Sequence, residues 1–195
     1  MSNSSIIDGI DYGPLAGLIG KWSGDKGVDR APAATGGEER SPFYETLLFE
    51  ACGDVDNAEE QVLSVVRYHQ VVHRKSNDKV FHNESGYWSW DAKNGILMQA
   101  LTIPRGFALV AGGRFDARDS YAGELTLEVR AADGDPEWGI VQSTFLREKA
   151  RTVAFSHKIV ISGDSLSYSE STQLKIYGRE YNHTDVNRLT RAASG

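Results

Sequence analysis

The chain has 195 residues, with 21 Lys+Arg against 27 Asp+Glu and a net charge of −6. A domain of this length buries roughly 70% of its unfolded surface, so it needs neither disulfides nor metal to fold. A pI of about 5.4 argues against a nucleic-acid backbone binder and against docking on an anionic membrane, because both need surplus positive charge.

Cys52 is the only cysteine, which excludes an intrachain disulfide and a cysteine-built zinc site. No run approaches the roughly 18 apolar residues of a membrane span, and the chain opens with no basic and apolar leader. A soluble cytoplasmic protein is the expectation.

In chain order, residues 1–11 are expected to fray. Gly13–Ile19, with Pro14 at its start, reads as one helical turn. Gly27–Gly37, rich in Ala, Gly and Pro, reads as a mobile loop. Phe43–Phe49 alternates, with Phe43, Leu47 and Phe49 on one face, and the acidic stretch Gly53–Glu60 lengthens the next hairpin. Gln61–His73 carries Val62, Val66, Tyr68 and Val72 on one side. Val80–Trp90 puts His82, Glu84, Gly86, Trp88 and Trp90 on one face, with Phe81 and Tyr87 on the other. Gly95–Ile103, Gly106–Arg114, Tyr121–Arg130, Trp138–Arg147, Arg151–Ile161 and Leu166–Tyr177 read as further strands. Turn signals at Lys93-Asn94-Gly95, Asp133-Gly134-Asp135-Pro136 and Ser162-Gly163-Asp164 separate them. Residues 192–195 read as a tail.

Ten or eleven short strands at regular spacing predict an all-β, antiparallel barrel of about ten strands over residues 12–191, with a short N-terminal helical turn. A barrel of this size is either just filled by side chains or wide enough for one small ligand. Trp22 is expected in the core at the barrel base. Trp88 and Trp90 share a face and either line a cavity or fill it.

There are five histidines: His69, His73, His82, His157 and His183. None lies in a His-Glu-x-x-His or i,i+2 pair. His69 and His73 stand about 13 Å apart on a strand, too far to share one metal ion. No Gly-x-Ser-x-Gly elbow, phosphate loop or dinucleotide fingerprint is present.

Four ordered stretches resemble the nitrobindin-like haem-binding β-barrels, relatives of the fatty-acid-binding proteins. They are Gly13–Gly24 with its Gly-x-Trp-x-Gly, Tyr44–Phe49, the His-x-Glu-x-Gly-Tyr element His82–Tyr87, and His183 ahead of Asn187–Arg191. The resemblance implies a ten-stranded barrel with a pocket at one end and ferric b-type haem. It also implies nitric oxide binding and peroxynitrite isomerisation. On this chain it assigns the proximal iron ligand to His183 and a pocket-lining place to His82. Asp185, on the same strand face as His183, is the candidate acceptor that fixes the imidazole's tautomer. The alternative for His183 is a histidine bonded to Asp185 or Asn187 in a polar barrel mouth. For His82 it is a pairing with Glu84 or with a backbone carbonyl.

A second reading is a non-catalytic carrier of a hydrophobic carboxylate. Arg179 and Tyr181 point to one side of an extended strand, resemble the Arg-x-Tyr element of fatty-acid-binding proteins, and would grip the carboxylate. Arg105, at a loop, is another candidate anion contact, and Trp88 a candidate lining residue. A homodimer through an open strand edge is the expected partner arrangement, if there is one.

Overall fold

The alternation read from the sequence closes on itself. In a computed structural model, which describes residues 5–121 and 123–193, a two-residue hairpin of β1 (Ile6–Ile7) and β2 (Ile10–Asp11) precedes a 3₁₀ turn at Gly13–Gly17. There follow β3 (Gly20–Pro32), β4 (Glu38–Val55), β5 (Leu63–Arg74), β6 (Val80–Asp91), β7 (Ile96–Ile103) and β8 (Phe107–Arg114). After β9 (Ser120–Tyr121), β10 (Glu124–Ala132) and β11 (Ile140–Gln142) come the short helix α1 (Thr144–Lys149), β12 (Ala150–Ser162), β13 (Ser165–Ile176) and β14 (Arg179–Arg191).

Ten long strands form the ring β3-β4-β5-β6-β7-β8-β10-β12-β13-β14, every pair antiparallel. β14 returns to β3 at Thr184↔Arg30 and Thr190↔Ser23, and β8 meets β10 at Gly112↔Arg130. β9 and β11 hang outside the ring, on β10 and β8. The barrel is therefore the one the sequence predicts, built of hairpins between neighbours.

One end is sealed. Leu15 and Leu18 from the N-terminal turn are fully buried, and so is Trp22, whose Nε1–H donates to the Leu18 carbonyl at 2.7 Å. The Arg191 guanidinium lies 4.1 Å over the Trp22 ring, while its Nη atoms donate to the carbonyls of Gly17 and Ile19. A charged group is thus satisfied and stacked at the floor, without an open polar gap. Above it Leu47, Phe49, Val66, Leu97, Leu127 and Leu189 fill the lower lumen.

Gly86 and Gly27 are among the glycines that sit where only hydrogen fits. A Cβ at Gly86 would stand 2.0 Å from the Ala100 carbonyl oxygen, and one at Gly27 would stand 2.1 Å from the Phe43 ring.

Two expectations need correction. Gly27–Gly37 is not a mobile loop: β3 runs to Pro32, paired to β4 and, through Arg30, to β14, and only residues 33–37 turn. Ladder bonds on both sides hold a segment whose small residues suggest looseness. Trp138–Arg147 is not one strand, because Ser143 ends β11 and caps α1, its Oγ accepting from the Leu146 N–H at 3.4 Å. Of the stretch expected to fray, residues 5–11 form the small hairpin, tied by Tyr12 N–H to the Ser5 carbonyl at 2.8 Å. Residues 1–4 and 194–195 lie outside the described residues.

Candidate functional site

β6, β13 and β14 place polar side chains in phase with the apolar ones below them. The period of two that points Trp88 inward also points Glu84 and His82 inward, higher up the same wall. On β14 the same phase carries Leu189, Asn187, Asp185, His183 and Tyr181. The lumen therefore changes character with height.

The middle tier is a closed hydrogen-bond network. Glu45, 1% exposed, accepts from Gln70 Nε2 at 2.5 Å, Tyr168 Oη at 2.9 Å and Asn187 Nδ2 at 2.6 Å. Tyr68 Oη donates to Glu84 Oε1 at 2.5 Å and accepts from Gln99 Nε2 at 2.9 Å. Gln99 Oε1 stands 3.0 Å from His157 Nδ1, so that nitrogen carries the proton and Nε2 holds the lone pair. Nε2 is buried without a partner, among the rings of Trp88, Phe155 and Tyr168.

The upper tier gathers acids and imidazoles. His183 Nε2 lies 2.7 Å from Asp29 Oδ1 and 3.3 Å from Asp185 Oδ2, and His82 Nε2 lies 3.3 Å from Glu84 Oε2. His157, Glu170, Asp185 and Asp29 sit directly opposite one another on β12, β13, β14 and β3. The His183, His82 and Asp185 side chains are 29%, 33% and 23% exposed, so this end of the lumen reaches water.

Electrostatics follow from the crowding. Burial works to lower both His183 and His82. The Asp29 bond with the Asp185 and Asp29 charges outweighs it for the first, and Glu84 does so for the second, so both titrate above 6.5. Burial pushes Asp185 up to about 6, with Asp29 and Glu45 adding to the rise and His183 and His82 opposing it. Burial also raises Glu45, and it raises Glu170 further, with help from the Glu84, Asp185 and Glu45 charges. His157, buried and only weakly opposed by Glu84, falls to about 4.

The structure brings His183 and Asp185 together, although both carboxylates meet the same imidazole nitrogen, not opposite ones. His82 pairs with Glu84 on the wall. Trp88, 1% exposed, fills the lumen and does not line a cavity. Arg179 and Tyr181 do face one side, at the rim, but they are already engaged. Arg179 Nη2 donates to the carbonyls of Gly37 at 2.7 Å and Ala33 at 3.1 Å, and Tyr181 Oη donates to Glu38 at 3.1 Å. Arg179 Nε is buried with no hydrogen-bond partner among the described residues. Arg105 is exposed in the β7–β8 turn, at the same open end.

Asp29, Glu45, Gln70, Gln99, His157 and Glu170 are site residues that the sequence does not single out. Their signal is present in it all the same: a polar residue in phase between apolar ones, as Glu45 between Phe43 and Leu47 or Gln99 between Leu97 and Leu101.

The fold and this sequence have known relatives. Among solved structures, the crystal structure of Rv2717c from M. tuberculosis is similar, with a TM-score of 0.69 and 21% identity over 91% of this chain and 94% of that one. That likeness speaks to the fold. No curated protein matches. Residues 11–191 match the family described as THAP4-like, heme-binding beta-barrel domain, as the nitrobindin-like resemblance of the four stretches implies. The chain belongs to that family of haem-binding β-barrels.

Proposed function

We propose that the chain binds a small polar or cationic ligand at the open end of its barrel, against the wall of His183, Asp29, Asp185 and His82. One observation carries this. Asp29, Glu45, Glu84, Glu170 and Asp185 all face the lumen; the partners of the first three and of Asp185 are imidazoles, amides and phenols, with no Lys or Arg among the described residues, and the charged neighbours of Glu170 are acids. Even with Glu170 keeping its proton, the remaining four acids outnumber the two chargeable imidazoles and leave a negative well in a low-dielectric tube, and such a well attracts cations and hydrogen-bond donors.

Family membership supports haem as the cofactor, and haem supplies ligand-binding iron when present. The residues here do not fit it as arranged. The imidazole nitrogen that would meet iron, His183 Nε2, is held by two carboxylates at 2.7 and 3.3 Å. The wall at this height is acidic, whereas cofactor pockets are lined mainly by apolar and aromatic side chains. Such a wall lends no support to the nitric oxide binding and peroxynitrite isomerisation that the resemblance implies. A carboxylate cargo fits no better, since it would enter a well of like charge in which Arg179 Nη2 is already bonded to two carbonyls.

Thermal-shift titration with haemin, a fatty acid and small ammonium compounds separates these readings. Stabilisation by an ammonium compound, lost in Asp185→Asn, is expected. A saturable Soret band that disappears in His183→Ala, or stabilisation by the fatty acid alone, would overturn the proposal.

A further inference from the structure

The upper tier contains a more specific arrangement than a diffuse negative well. Asp29 Oδ1, His183 Nε2 and Asp185 Oδ2 all lie within 4.8 Å of one another. Each comes from a rigid element: Asp29 from β3, and His183 and Asp185 two residues apart on β14, paired through Asp185↔Asp29. This is a mixed donor set of one imidazole and two carboxylates, held by strands and not by loops.

We propose that Asp29, His183 and Asp185 bind one divalent transition-metal ion, of the zinc, cobalt or manganese class, in the lumen of the barrel. The inference rests on the cationic-ligand reading above and names the ligand. Nitrogen and oxygen donors stand about 2.0–2.2 Å from such an ion, so two of them at a tetrahedral angle are about 3.4 Å apart. The His183–Asp185 pair already has 3.3 Å, and the His183–Asp29 pair, at 2.7 Å, needs to open by about 0.7 Å.

A second observation points the same way. Glu170 stands directly opposite Asp185 on β13, faces the lumen, and makes no hydrogen bond among the described residues. Its neighbours Glu84, Asp185 and Glu45 are all acids. Three protein donors from Asp29, His183 and Asp185 leave at least one coordination position, open to water from the barrel mouth. Catalytic metal sites share this pattern of three protein ligands and one open position. Asp29 and Asp185, with one imidazole between them, match the charge a dication brings.

The site also accounts for why the imidazole nitrogen faces two acids at once. A lone histidine needs one acceptor to fix its tautomer. Two carboxylates converging on the same nitrogen make a pocket with a centre.

The test uses the full chain after treatment with EDTA, titrated with Co²⁺ and with Zn²⁺, and read by calorimetry and by visible cobalt absorption. One equivalent is expected, with cobalt bands of a mixed nitrogen and oxygen site displaced by Zn²⁺. Asp29→Asn and Asp185→Asn keep size and remove charge, and each weakens affinity at least about tenfold. His69→Ala, at an exposed histidine bonded to Asn83, leaves affinity unchanged. Far-UV dichroism establishes that each variant folds, and His183→Gln replaces either aspartate variant that does not. Absence of saturable binding, or binding equal in wild type and both aspartate variants, would overturn the metal site. If ammonium compounds still stabilise the protein in that event, the acidic well stands and only its assignment to a metal falls.

Discussion

His157 offers the cleanest measurement of how the buried tier constrains stability. Its imidazole is 9% exposed, bonded through Nδ1 to Gln99, and enclosed by the rings of Trp88, Phe155 and Tyr168. Glu170 faces it across the strand pair, and the Glu84 charge opposes the effect of burial without cancelling it. The folded value is about 4 against an ordinary 6.5. Because the folded value is the lower one, the unfolded chain takes up the proton first as pH falls. The stability held by neutral His157 is present above pH 6.5 and is lost progressively towards about pH 4. The gap corresponds to about 3 kcal/mol. Wild type alone is not diagnostic, since the lumenal carboxylates respond over the same range, so the assay is a comparison. Chemical denaturation of wild type and His157→Gln at pH 7.5 and 4.5 should show their stability difference shrink, or reverse, by about 2–3 kcal/mol on acidification. A difference that stays constant across this range would refute the buried neutral imidazole.

Two further outcomes follow from the packing. Gly86→Ala places a methyl against the Ala100 carbonyl oxygen at 2.0 Å, so backbone must move. A loss of about 1–3 kcal/mol, seen as a fall of several degrees in Tm, is expected, and an unchanged melt would show that β6 and β7 part freely there. Glu170→Gln tests the acid without a partner. A carboxyl whose folded value is raised holds its proton in the native state, so its contribution is lost as pH rises above the ordinary 4.5. The glutamine variant should therefore exceed wild type in stability at pH 8 and approach it near pH 4, and equal pH profiles would count against that.

The barrel was legible because strand alternation is a local property. Phe43, Leu47 and Phe49, or Trp88 with Glu84 and His82, declare their face without knowledge of their neighbours. The site was legible only in halves. His183 and Asp185 are two residues apart and read together, but the nearer partner, Asp29, lies 154 positions away in a segment whose glycines and alanines suggest a loop. Only β14 returning to β3 brings them into contact. Gln70, Gln99 and Glu45 are hidden differently: each interrupts an apolar face by one residue, which alone reads as noise. Helix α1 escapes the sequence reading because Phe145 and Leu146 fit a strand pattern equally well, and the Ser143 cap that decides between them is one weak bond.

The return of β14 to β3 has a consequence for how the chain acquires its shape. The ring cannot close until Arg179–Arg191 lies beside Gly20–Pro32, a pairing that joins residues as far apart as His183 and Asp29, 154 positions. Contacts spanning that much sequence form slowly because the intervening chain must first be ordered. Until then β3 presents a long unpaired border, which makes the folding barrel depend on β14 for protection from mispairing.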